Sequence, residues 1–160
     1  MKTTRPRPKI AVSADGRGIV SHAGGLVLAE AVRATGRGLS EGLARWRAPR
    51  AAHDPGKILT DLAAALALGG DCLADVAVLR AEPELFGPVA SDPVVSRLVT
   101  ALAGDQARAL KQIRAARAAA RDRAWALAGP AAPGADGELI PLDVDARIVI
   151  SHSPGLAIRS

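Results

Sequence analysis

The stretch from Asp105 to Leu127 constrains the fold most, because it contains neither glycine nor proline and consists largely of alanine and arginine. Such a composition, with apolar residues at helical spacing, predicts the longest helix of the chain. A helix of this kind needs other elements against which to bury one face. The apolar stripe is predicted to comprise Leu110, Ile113, Ala116, Ala120, Ala124 and Leu127.

The remaining positions of the same stretch are strongly basic. Against the acids Asp105 and Asp122 stand six cations, so the segment carries about +4 (six minus two). One interpretation is a helix that lies along a phosphate backbone, with salt-dependent affinity from counterion release. The other is a solvated face in an arginine-rich protein. The cations are Arg108, Lys111, Arg114, Arg117, Arg121 and Arg123.

Composition supports a helical core and an anionic partner. Hydrophobic residues make up 49% of the chain but aromatic ones only 2%. The core must therefore be built from Ala, Leu, Val and Ile, which favours closely packed helices. The net charge of +5 indicates nucleic acid before a membrane. No secretory signal or unbroken apolar span is evident, and Cys72 is alone, so a cytoplasmic protein without disulfides is expected.

Glycine and proline divide the preceding part into shorter helices. Helices are predicted over about 26–35, 40–47 with Ser40 as N-cap, 57–68 and 72–80. Asp92-Pro93 gives the clearest helix start, with Asp92 expected to accept from free backbone donors. The buried face of that helix is predicted to comprise Val94, Val95, Leu98, Val99 and Leu102.

The helices at 72–80 and after Asp92 suggest a helix-turn-helix. In this motif the second helix enters the major groove, which would bring Ser96 and Arg97 to DNA. The connection of about ten residues is longer than the usual turn of this motif. A plain pair of packed helices is therefore the alternative.

Near the end, residues 137–151 alternate apolar and polar side chains and predict a strand. Ile140, Leu142 and Val144 share one face, while Asp143 and Asp145 share the other. Magnesium prefers carboxylate oxygens, so the two acids suit the start of a divalent-metal site. A solvated edge strand is the alternative.

The chain begins with a basic arm over residues 1–8, followed by a predicted β-hairpin. Asp15-Gly16 is a strong hairpin-turn signal, since glycine accepts positive φ without steric cost. A phosphate-cradling loop is the alternative interpretation of these glycines. The segment lacks the Gly-Lys-Ser/Thr ending that such a loop requires.

Several short motifs occur in an order that resembles the N-terminal part of a DDE transposase, with greatest similarity to insertion-sequence family thirteen-eighty. The likeness covers about residues 10–153, and the order of the motifs is more specific than any one of them. The motifs are Val12-Ser-Ala-Asp-Gly-Arg-Gly18, Ser21-His-Ala-Gly-Gly25, Ala44-Arg-Trp-Arg47, His53-Asp-Pro-Gly-Lys57, Leu66-Ala-Leu-Gly-Gly-Asp-Cys-Leu-Ala-Asp75, Phe86-Gly-Pro-Val-Ala-Ser-Asp-Pro93, Ser96-Arg-Leu98 and Leu142-Asp-Val-Asp-Ala146.

The resemblance implies a helical DNA-binding region followed by an RNase H-like α/β core. The first strand of that core carries the first of three carboxylates that hold two metal ions, with Mg²⁺ as the implied cofactor. Asp145 would be this catalytic and metal-binding residue, with Asp143 as the alternative. Two metals would then assist phosphoryl transfer on DNA.

Two departures from the family pattern bear on activity. Arg147 stands where a small hydroxyl residue is usual, and Pro154–Ser160 replaces the expected continuation into further core strands. The second and third acids are expected downstream, beyond this sequence. A truncated transposase, unable to catalyse transposition alone, is therefore expected.

The predicted organisation is a basic arm and hairpin at 1–22, a helical DNA-binding region at 23–128, a linker at 129–137 and an incomplete core at 138–160. The expected partners are DNA at terminal inverted repeats and a second copy of the chain, but no membrane. The alternatives are a DNA-binding regulator that competes with a full-length transposase and a helical interaction protein. The predicted DNA contacts are Ser96, Arg97, Arg108, Lys111, Arg114, Arg117 and Arg121.

Overall fold

The computed structural model describes residues 24–36, 38–137, 139, 140 and 144. Within that part the fold is mainly α, as predicted, and contains no strand. The predicted N-terminal hairpin lies outside the described residues, as does most of the predicted strand. The α-helices are α1 (Gly25–Thr35), α2 (Gly38–Gly42), α3 (Pro55–Ala67), α4 (Val76–Arg80), α5 (Pro83–Phe86), α6 (Asp92–Ala103) and α7 (Gln106–Ala128), with 3-10 turns at Ala44–Trp46, Leu73–Asp75 and Gly129–Ala131.

The start of α3 is fixed by a cap that also reaches α2. Asp54 accepts a hydrogen bond from the backbone N–H of Lys57 at 2.9 Å, and Pro55 occupies the first helical position. The Ser40 hydroxyl donates to the same Asp54 oxygen at 2.6 Å. Ser40 therefore lies inside α2 and supports the cap of another helix, so the prediction that it caps its own helix is wrong.

The start of α6 is held by an arginine from α4. Ser91 is the N-cap, and no side chain caps this helix. Arg80 donates one N–H to the Asp92 carboxylate and another to the Ala90 carbonyl, both at 2.8 Å. Asp92 is the first residue of the helix and not its cap, so its carboxylate pairs with a guanidinium and not with its own backbone, contrary to the prediction.

Two clusters of small aliphatic residues form the core, as the composition predicts. Leu62 packs against both clusters and joins them. The only phenylalanine, Phe86, lies in the second cluster against α1. The first cluster comprises Leu43, Ile58, Ala90, Val95, Leu98, Leu102 and Ala109, and the second Ala65, Val76, Leu79, Leu85 and Phe86.

The buried face of α7 is narrower than predicted. Ala109 is buried, and Ile113, Ala116 and Ala120 are partly covered. Leu110 is 37% exposed and Leu127 62% exposed, so neither belongs to the stripe. The stripe is set by the glycine-containing α2, which covers only a thin line of the helix.

One predicted member of the buried face of α6 is also wrong. Val99 is 38% exposed, whereas Val95, Leu98 and Leu102 are buried. Val99 lies at the edge of the apolar arc, and no described element reaches far enough around the helix to cover it.

Glycines bring α2 against both of its neighbours. A Cβ on Gly56 of α3 would lie 2.2 Å from the backbone nitrogen of Ser40, so only glycine fits this contact. On the opposite side, a Cβ on Gly38 or Gly42 would meet Ala116 or Gln112 of α7 at 3.5 Å. The short helix α2 is therefore wedged between α3 and α7.

The predicted linker at 129–137 begins with a 3-10 turn at Gly129–Ala131. Gly129 ends α7 at φ 54°, and bends and turns continue to Gly137. The boundaries proposed between the segments of the chain stay predictions.

We expect Gly56→Ala to destabilise the fold by at least about 3 kcal/mol, because its methyl group would overlap backbone atoms that cannot rotate away. Gly24→Ala is the matched control, since Gly24 has helical φ and ψ and a methyl group there would meet nothing within 4 Å beyond its chain neighbours. The control should shift stability by less than about 1 kcal/mol. Urea unfolding of both variants measures the difference, and similar midpoints would contradict the close approach.

Asp54 and Asp61 should affect acid stability in opposite directions. Burial favours the neutral form of Asp54, but hydrogen bonds from Ser40 and Lys57 and the charge of Arg47 lower its pKa overall below 3.8. Its contribution is therefore present above pH 3.8 and is lost as the pH falls through the folded-state pKa. Burial raises the pKa of Asp61 despite its bond to Lys57, so protonation of Asp61 favours the folded state.

Asp54→Asn should consequently flatten the loss of stability on acidification, because it removes the carboxylate whose protonation causes that loss. Asparagine caps a helix about as well as aspartate, so the variant should stay folded. Asp61→Asn should make that loss steeper, since it removes a group whose folded form binds its proton more tightly. The free energy of unfolding, measured by urea titration from about pH 6 to about pH 3, separates the two. Equal slopes of unfolding free energy against pH for both variants would contradict the opposite pKa shifts of Asp54 and Asp61.

Candidate nucleic-acid interface

The outward face of α7 carries a row of exposed cations. Lys111 and Arg114 are exposed and lie on the side of the helix away from the buried Ala109 and partly buried Ile113. Their long side chains project from a rigid helix that the rest of the fold holds by its other face. This geometry presents two positive charges on adjacent turns of one helix face.

No acidic side chain in the described residues neutralises this row. The ion pairs found there join Glu30 to Arg33, Lys57 to Asp61, Arg80 to Asp92 and Asp105 to Arg108. Only the last of these involves α7, and its 3.7 Å distance between exposed groups makes it weak. Since α7 contains six cations and only Asp122 as an acid, its own charge is +5 (six minus one).

Three arginines of α7 are placed differently from the row. Arg123 donates from Nε to the Ala34 carbonyl at 2.7 Å and so ties α7 to the end of α1. Arg121 lies over the ring of Trp125, 5.6 Å from its centroid, which restricts its guanidinium. Arg117 is exposed and borders a groove between α7 and α1. Arg123 is therefore structural, whereas the other two remain available for an anion.

The predicted contacts on α6 are also exposed. Ser96 and Arg97 lie outside the buried arc of that helix. Neither side chain makes a hydrogen bond or ion pair with any described residue, although the backbone carbonyl of Ser96 accepts from Thr100 at 3.0 Å. Both side chains are thus free to reach a ligand, and the structure does not show them joined with the α7 row into one surface.

The connection between α4 and α6 is itself ordered. It contains the one-turn helix α5, whose Leu85 and Phe86 are buried. The prolines of this region predict only a connection, and the adjacent apolar pair was the signal of the missed helix. The Arg80 clamp fixes α6 relative to α4. The helix-turn-helix interpretation stays a prediction, with a short helix where a tight turn is usual.

The predicted carboxylates of the metal site, Asp143 and Asp145, lie outside the described residues. Ile140 and Val144, which alternation places on the apolar face, are 48% and 89% exposed. The role of Asp145, with Asp143 as the alternative, therefore stays a prediction.

Within the described residues, one group has the spacing of a metal site, namely Asp71, Cys72 and Asp75. Its chemistry does not fit Mg²⁺, because a thiol is a soft ligand and magnesium prefers oxygen. The Asp75 carboxylate already accepts the backbone N–H groups of Asp71 and Cys72, at 2.8 and 2.9 Å. Both bonds lower the pKa of Asp75, and the bond from Cys72 has the larger effect. These backbone bonds account for the group as a helix cap.

Asp61 is a buried charged residue that the sequence pattern did not single out. It is 4% exposed, and both of its oxygens accept from the Lys57 ammonium, one of them at 2.6 Å. The spacing of four residues on a helix was the available signal. The pair links two turns of α3, with Asp61 buried and Lys57 partly exposed, and has a structural role.

None of the helices in the described part of the chain is long and apolar enough to cross a membrane.

Comparison with known proteins identifies the family. No curated protein and no solved structure matches the chain. The family described as Transposase DDE domain group 1 matches residues 2–154, which is most of the 160-residue sequence. The match agrees with the DDE transposase that the order of the sequence motifs indicated. The chain therefore belongs to the transposase DDE domain family, group 1.

Proposed function

We propose that this chain binds transposon DNA through its helical region, as the DNA-binding part of a transposase. Family membership indicates transposase-type function. The observation that supports DNA binding is the exposed row on α7, whose Lys111 and Arg114 have no acidic partner in the described residues. A helix with such a face attracts a polyanion along its length.

The two basic elements would have different tasks. The α7 side chains contact phosphates, because a row of cations along one helix binds the charged backbone of any DNA sequence. Ser96 and Arg97 contact base edges, since an arginine and a hydroxyl supply the hydrogen bonds that distinguish bases in the major groove. The α7 contacts would be Arg108, Lys111, Arg114, Arg117 and Arg121.

The bound DNA would be the terminal inverted repeats of an insertion sequence. This part of the proposal rests on the motif order that resembles insertion-sequence family thirteen-eighty. The same binding would let the chain compete with a full-length transposase for DNA ends. Neither role requires strand transfer.

Asp145 is proposed as the first carboxylate of the family's catalytic set, with Asp143 as the alternative. Such acids would hold Mg²⁺, which would supply Lewis-acid chemistry for phosphoryl transfer on DNA. The two carboxylates that share one side of the Leu142–Ala146 segment support this assignment. Arg147 would place a cation beside this position, where the family pattern has a small hydroxyl.

The DNA proposal is tested by gel shift with inverted-repeat duplex over a range of salt. We expect the double variant Lys111→Gln, Arg114→Gln to bind more weakly, and its slope of log affinity against log salt to fall by about 1.8, or about 0.9 per lost phosphate contact. Glutamine has nearly the same helix propensity as lysine and arginine, so α7 should stay folded.

The matched control is Arg45→Gln with Arg50→Gln, which removes the same charge from exposed positions outside α7. It should keep the wild-type slope. Binding should also survive EDTA, because the α7 contacts need no metal. Absence of binding at low salt, or the same slope change in both double variants, would refute the proposed interface. Footprinting protection confined to the repeats separates recognition from general basic adhesion.

The role of Asp145 is tested by NMR with Mn²⁺ as a paramagnetic substitute for Mg²⁺. Resonances around residue 145 should broaden, and Asp145→Asn should reduce that broadening more than Asp143→Asn does, because the ligand is one specific carboxylate. The reverse order would assign Asp143. Broadening confined to Asp71–Asp75 would contradict both assignments.

A further inference from the structure

An open groove of about 860 Å³ lies between α1, α2, α3 and α7, on a side of α7 different from the Lys111–Arg114 row. Its floor is built from small and aliphatic side chains, among them Leu28, Val32, Ala63, Ala64 and Ala116. Val32 is 40% exposed there. An open groove with an apolar floor is a candidate contact site.

A smaller cavity of about 140 Å³ opens beside the groove and shares Leu28, Val32 and Ala64 with it. Leu85 and Phe86 line this cavity, together with the Lys57–Asp61 pair. A cavity of about 150 Å³ with apolar walls accommodates a benzene ring. One aliphatic or aromatic side chain of a partner would therefore fit beside Phe86.

The rim of the groove is basic. Arg33, Arg47, Lys57 and Arg117 line it, with Asp54 as the acid. Arg33 pairs with Glu30 and Lys57 with Asp61, so Arg47 and Arg117 are the lining cations that form no ion pair with a described residue. Asp54 already accepts from Ser40 and from the Lys57 backbone. The weak 3.5 Å bond from Arg47 to the Ala51 carbonyl leaves its guanidinium free to turn toward an incoming anion.

We propose that this groove docks an acidic amphipathic helix of a partner protein. The apolar face of such a helix would cover the floor, one large side chain would fill the small cavity, and its carboxylates would meet the basic rim. Helices bind grooves in this way through apolar anchors spaced three and four residues apart. The charge of the rim selects an acidic partner.

Charge also argues against the other occupants. A second copy of this chain brings a net charge of +5, so two copies would repel each other at a positive rim. DNA would satisfy the cations but has no apolar face for Val32 and Leu28. An acidic helix satisfies both parts of the groove at once.

The probe is a fluorescein-labelled synthetic helix with leucine at positions i, i+3, i+4 and i+7 and glutamate elsewhere. The control peptide, called the lysine twin, has lysine in place of every glutamate. Fluorescence anisotropy with the full chain should show saturable binding of the glutamate peptide, at least about tenfold tighter than that of the lysine twin.

Two pairs of variants test the floor and the rim separately. Val32→Ser should weaken the glutamate peptide about fivefold through lost apolar contact, whereas Val27→Ser should not. Val27 is on the same helix but does not line the groove and is 70% exposed. Arg47→Gln should weaken binding about threefold, whereas Arg50→Gln, which removes the same charge outside the groove, should not.

Several results would overturn the proposal. These are no saturable binding, equal binding of both peptides, or equal effects of the paired variants. A dimer in analytical ultracentrifugation that Val32→Ser dissociates would assign the groove to a second copy. Loss of DNA binding in Val32→Ser would assign it to DNA. This proposal does not depend on the DNA interface. A chain that shows no gel shift with DNA could therefore still bind the glutamate peptide.

Discussion

The arrangement of the described helices depends on the contact between α2 and the start of α3. Gly56 lets the backbone of α3 approach that of Ser40, and the Ser40 hydroxyl bonds to the cap residue Asp54. A shape constraint and a hydrogen bond therefore act at the same junction. Because α2 also places Gly38 and Gly42 against α7, this junction decides which line of α7 is buried. The opposite line, with its cations, is left to solvent.

The distribution of ion pairs separates cations that hold the fold together from cations that have no described acidic partner. Arg80 and Arg123 each bond to a group on another element of the fold, whereas Lys57 pairs with Asp61 within α3. Lys111, Arg114 and Arg97 bind no described acid. Unpaired cations on one helix face repel one another at low salt, which opposes folding slightly. Their presence on a rigid helix is better explained by an anionic ligand than by stability.

The sequence predicted the helices well, because glycine, proline and helical spacing are local signals. It failed where a distant residue competes for a side chain. Ser40 and Asp92 both have the composition of caps, yet each bonds to another element, and spacing along the chain carries no information about that partner. Val99 and Leu110 are apolar at suitable spacing, but the covering helices are too narrow to bury them.

The same reasoning explains what could be predicted of the site. The basic row on α7 is a property of one helix, so its exposure follows from the sequence pattern. The groove could not be predicted, since its floor is assembled from α1, α3 and α7 and requires their relative positions. The catalytic proposal for Asp145 rests on family membership and local alternation.

The two proposed surfaces meet at Arg117, which is exposed on α7 and also lines the groove. One guanidinium cannot bind a DNA phosphate and a partner carboxylate at full strength together. An acidic helix in the groove would therefore weaken DNA binding, and DNA would weaken the partner by the same factor, because linkage between two sites is reciprocal. The remaining α7 cations lie away from the groove, so the coupling would be partial. Occupancy of the groove would then lower the affinity for DNA without abolishing DNA binding.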